Sequence, residues 1–163
     1  RETWKWTSFT NTWRYLARHM SSSHWDAFRE AAIKVLSAPD PRVEAEGTAR
    51  WLADPCEYSD DLREGMAEAL AIAATFEPKS ELNTGSMSAE THALLAVRKT
   101  LNDASSDWKR WAALSDLLPA LAEAAPGEFL SAVEERVIAN PAVVQVLFRR
   151  SGLFGKGDGL FEL

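Results

Sequence analysis

Residues 59–76 read SDDLREGMAEALAIAATF, and this stretch decides the fold class. Ser59 suits an N-cap, and Asp60 and Asp61 follow in the first turn, where exposed backbone amides favour anions. Leu62, Met66, Leu70, Ala73 and Phe76 then recur at three- and four-residue intervals, the period of one helix face. Ala67, Ala69, Ala71 and Ala74 keep the neighbouring positions thin, so that a second helix can approach closely. The spacing predicts a helix, packed tightly on another.

The same pattern repeats toward the amino terminus. Ser21, Ser22 and Ser23 interrupt it, and Ser23 followed by Asp26 reads as the start of a helix carrying Trp25, Phe28, Ala32, Val35 and Leu36. That helix stops before Pro39-Asp40-Pro41, because two prolines so close together cannot continue it. A shorter helical piece over 42–53 turns Trp51 and Leu52 inward, with Gly47 weakening it. Ahead of these, Trp4, Trp6, Phe9, Trp13 and Tyr15 crowd together, and Asn11 or Thr10 caps a short helix with Trp13, Leu16 and Ala17 on one side. So many aromatics need a cover. Either they roof the following helices or they pack on an element that precedes them.

Toward the carboxyl terminus, residues 77–86 read as a loop, and Ser88 caps a helix through Leu101 with Ala93, Leu94 and Val97 on its apolar face. The next helix begins near Ser105 or Ser106 and runs toward Leu114, with Trp108 and Trp111 three apart on one side. Leu117, Leu118, Leu121 and Ala122 either continue it or form a separate helix with Pro119 in its first turn. Pro126 opens another, turning Phe129, Leu130, Val133 and Val137 inward. Asn140-Pro141 ends it, Val143, Val146 and Leu147 begin the last helix, and the glycine-rich residues 152–159 read as a loop. No stretch sustains the alternation of a strand. The expected fold is all-α, six to eight helices in a single domain over residues 1–163, arranged as an irregular α-solenoid or an array of antiparallel helix pairs. Arg1 at the start and Leu163 shortly after Leu160 and Phe161 suggest a fragment of a larger protein.

Composition narrows the function classes. Hydrophobic residues make up 46% and charged residues 26%, a balance that supports a packed core. The net charge of -6 argues against nonspecific binding to a nucleic-acid backbone, and the basic pairs Arg14 with Arg18, Lys109-Arg110 and Arg149-Arg150 form no continuous stripe. A single cysteine, Cys56, rules out an intrachain disulfide and reads as a buried or half-buried thiol. No apolar run reaches membrane-spanning length, and no signal peptide is visible, so a cytoplasmic parent is expected.

Catalytic constellations are scarce. His19, His24 and Asp26 carry ligand chemistry, but their spacing matches no recognised metal motif, and His92 sits early in its helix, where exposure is expected. Glu64 and Glu68 lie four apart beside Asp60 and Asp61, a pattern that reads as a solvated acidic face rather than a carboxylate pair at work. Residues 155–159, GKGDG, share glycines and a lysine with a phosphate loop but lack the following serine or threonine and the preceding strand. No catalytic, cofactor-binding or metal-ligating residue is expected. Trp108, Lys109, Arg110 and Trp111 are the interface candidates, since tryptophan flanked by cations is common at binding hot spots and equally common in cores.

Three stretches resemble a known family in order and spacing. The first is His24-Trp25-Asp26-Ala27-Phe28 through Val35-Leu36 to Asp40-Pro41. The second is Tyr58-Ser59 with residues 62–70, LREGMAEAL. The third joins Trp111, Leu114-Ser115 and Leu118-Pro119 to Leu121-Ala122-Glu123-Ala124-Ala125-Pro126, Phe129-Leu130 and Ala132-Val133-Glu134. Together they resemble the helical repeat-like region of very large bacterial proteins, some of which are similar to nucleotide-binding STAND-type signalling and defence ATPases. The resemblance spans roughly residues 15–150 and brings no catalytic residue with it. It implies a scaffold or sensor segment whose partners are neighbouring domains of its parent or another protein. A free-standing helical adaptor for a protein or peptide, or an enzyme of unrecognised type built on converging histidines, are the alternatives.

Overall fold

A computed structural model describes residues 9–43, 55–75, 87–104 and 107–138, and all secondary structure among them is helical. We number the α-helices α1 (Phe9–Ala17), α2 (Ser22–Leu36), α3 (Asp60–Thr75), α4 (Ala89–Ala104), α5 (Trp108–Leu114), α6 (Leu118–Ala124) and α7 (Pro126–Ala132). Short 3-10 turns cover Pro41–Val43 and Ser115–Leu117, and α7 runs on into a π-helical segment, Val133–Ile138. The expectations for Trp4, Trp6, Gly47, Trp51, Leu52, Phe76, residues 77–86, Ser105, Ser106 and everything after Ile138 lie outside the described residues.

Local chemistry explains the helix starts. Ser59 Oγ accepts from the Leu62 amide at 3.3 Å, and Ser88 Oγ accepts from the Thr91 amide at 3.1 Å, so both serines cap the helices their positions predict. At α2 the cap is Ser21 rather than Ser23. The Ser21 amide donates to His24 Nδ1 at 3.0 Å, and Ser23 lies inside the helix with its hydroxyl 2.8 Å from that of Ser21. A histidine three residues on here does what glutamate does in the usual capping box. Asp107 caps α5 by accepting from the Lys109 amide at 2.9 Å. Pro119 and Pro126 stand in the first turns of α6 and α7, where a missing amide hydrogen costs nothing.

Packing follows a simple rule of neighbours. Helix α2 packs on α3 and α4; α3 on α4 and α6; α4 on α6 and α7; α6 on α7. The short α5 bridges from α4 to the turn at Pro41–Val43. Each main helix therefore touches the next and the next but one, the connectivity of a layered helical array. Helix α4 lies at its middle. Ala89, Ala93, Ala96, Val97, Thr100, Leu101 and Ala104 are buried along it, and the small side chains among them let its partners close in from several sides.

Large aromatics fill what the alanines leave. Trp25 and Trp111 are fully buried, and Trp13 meets Trp25 edge to face with ring centres 6.0 Å apart. Trp13 also lies against Phe28 at 5.8 Å. Trp13 thus does roof the helix that follows, one of the two arrangements expected of the amino-terminal aromatics.

Several inward faces differ from the periodicity. On α3 Leu70 and Ala73 of the expected stripe are buried and Met66 packs half-buried on the core, but Leu62 is 41% exposed, and Arg63, Ala67, Ala69 and Ala71 are buried as well. Alanines widen the buried face beyond the expected stripe, because close approach to α4 and α6 favours the smallest side chains. Leu16 and Leu130 are likewise exposed rather than inward. His92 is the reverse case: expected at the surface, it is 1% exposed between α4 and α2, stacked on Trp25 at 6.0 Å.

Candidate functional site

The turn after α2 borders a polar recess lined by Asp40, Arg42, Asp60, Arg63, Glu64 and Asp116. Asp40 accepts from the Arg42 amide at 2.9 Å, which folds the chain back on itself as aspartate does in turns. Its carboxylate then takes both Arg42 Nε at 2.9 Å and Nη2 at 3.0 Å. The far side of the same guanidinium grips Asp60, at the start of α3, with Nη1 at 2.8 Å and Nη2 at 2.6 Å. Arg42 is therefore clamped between two carboxylates in fork-on geometry. Cys56 adds its thiol, donating to Asp40 Oδ1 at 3.1 Å.

One turn along α3, Arg63 reaches inward. It is 4% exposed, donates from Nη2 to the Ala113 carbonyl at 2.9 Å, and brings Nη1 to 3.9 Å from Asp40 Oδ2. Ala113 lies in the last turn of α5, where carbonyls lack helical partners and welcome a cation. Among the described residues Arg63 Nε has no hydrogen-bond partner. Around these side chains, with Glu64, Asp116 and Leu117, lies a cleft of about 250 Å³.

Electrostatics fix the protonation states. Burial of Asp40 opposes its ionisation, but hydrogen bonds from the Arg42 side chain, Cys56 and the Arg42 amide, with the charge of Arg42, outweigh it and hold Asp40 at about 2. Asp60 is held below its ordinary value by the hydrogen bonds from Arg42, and Arg42 is pushed up by Asp60 and Asp40 in turn. Burial, and then the bond to Asp40, push the Cys56 thiol up. A carboxylate this acidic is a weak base and a protonated thiol is a weak nucleophile. The cluster is built to hold the Pro41–Val43 turn, α3 and α5 together.

The interface candidates divide between core and surface. Trp111 is fully buried and Trp108 packs half-buried against the core, so the two indoles do not form one exposed platform. Arg110 donates to the Ser37 carbonyl at 3.3 Å and lies 3.8 Å from Asp107, while Lys109 is exposed. The histidines are not drawn together. His24 is occupied at the α2 cap, His19 packs on the Tyr15 ring at 5.3 Å, and Asp26 pairs with Arg29 at 3.2 Å. Nδ1 of His92 lies 3.3 Å from Arg29 Nη1. Among the described residues no three histidine, cysteine or acidic side chains group as a metal would need. Glu64 and Glu68 are both exposed on α3, and only Glu64 borders the cleft.

Sequence reasoning passed over Arg42 and Arg63, and took Asp40 only as part of a break. The one local signal was an aspartate between prolines with an arginine two residues on. The pairing to Asp60 spans eighteen residues and has no periodicity to betray it. Comparison of the chain with protein-family models, with curated proteins and with solved structures found no match.

Proposed function

We propose that this chain is a non-catalytic helical scaffold or sensor segment of a larger bacterial signalling or defence protein, working in the cytoplasm against neighbouring domains of its parent or another protein. One observation carries the reading. Large apolar side chains stand exposed on the first and last of the described elements: Tyr15 and Leu16 on α1, Leu130 on α7 and Ile138 on the π-helical segment. Stacked helical units bury such faces against further units, whereas a self-contained array ends in polar caps. The resemblance of the three helical stretches to STAND-type regions agrees with it. So does the state of the polar cluster, where the charged groups are spent on one another.

Membrane insertion is not part of the proposal, and among the described residues no helix is long and apolar enough to cross a membrane. Nor is nucleic-acid binding, given the net charge of -6. The experiment is peptide mapping of the endogenous protein by mass spectrometry. Peptides continuing past both ends of these residues, in a product several times the chain's 18.1 kDa, are the expected result. An endogenous product of 18.1 kDa would overturn the proposal and favour a free-standing adaptor.

A further inference from the structure

We draw no further inference here: the strongest candidate, the cleft between the Pro41–Val43 turn, the start of α3 and the end of α5, has Arg42 spent on Asp40 and Asp60 and Arg63 on Ala113 and Asp40, so that Glu64 and Asp116 remain an acidic cluster with no second observation pointing to a ligand.

Discussion

Asp40 and its two arginines are the residues whose removal is most informative. With its folded pKa held at about 2 against an ordinary 3.8, Asp40 contributes stability that is complete above the ordinary value and lost as pH falls through about 2. The contribution is at most about 2 kcal/mol. Asp40→Asn should lower stability near neutrality by about that amount and make the acid limb of the stability curve shallower. Urea unfolding followed from neutral pH downward measures both, and parallel curves for the two proteins would remove Asp40 from the account. The arginines should separate. Arg42→Met strips two carboxylates of their partner and should cost about 2–4 kcal/mol, whereas Arg63→Met keeps most of the buried stem and leaves Asp40 paired, costing about 1 kcal/mol. The reverse order in chemical denaturation would mean that Arg63, not Arg42, holds the cluster together.

Helix α3 shows how an element chooses its inward face. Ala67 is fully buried against neighbouring helices, so Ala67→Leu should overpack the contact and destabilise by about 1–3 kcal/mol. Leu62→Ala, on the exposed side, should change stability by about 0.5 kcal/mol or less. Thermal unfolding of the two variants checks where the buried face ends: a larger loss at Leu62 than at Ala67 would place Leu62 inside it. At the start of α2, Ser21→Ala should cost about 1 kcal/mol, with amide exchange rising in the first turn of that helix. An unchanged first turn would show that the Ser21 hydroxyl does not hold it.

Among the described residues the helices pack on near neighbours in the chain, with α3 and α4 between α2 and the α6–α7 pair. Trp25 and Leu121, both fully buried, sit toward opposite ends. Trp25→Ala should cost about 3–5 kcal/mol and Leu121→Ala about 2–5 kcal/mol. Native-state hydrogen exchange should then rise first in α1 and α2 for the former and in α6 and α7 for the latter. Uniform acceleration through every helix in both variants would instead describe one indivisible cooperative unit. The exposed Leu130 gives a contrast: Leu130→Lys should leave the stability of the chain within about 0.5 kcal/mol.

Helical class, the serine caps at 59 and 88 and the proline-led starts at 119 and 126 were legible because each depends on residues within about four positions of one another. Trp25, Val97 and Leu121 were likewise readable as inward from spacing alone. What spacing could not reveal was how far round α3 the buried face extends, since alanine suits either a surface or a contact and only an approaching helix decides. His92 and Arg63 were misplaced or passed over for a related reason. A polar side chain is buried only when distant groups, Arg29 and Trp25 for one and Ala113 and Asp40 for the other, meet it there. The sequence by itself thus determined an all-helical chain and most of its helix starts, through short-range hydrogen bonding and side-chain period. Only the tertiary structure decided the neighbour-by-neighbour stacking, the Asp40–Arg42–Asp60 clamp and the apolar side chains left exposed on α1, α7 and the π-helical segment, because those depend on surfaces brought together from far apart in the chain.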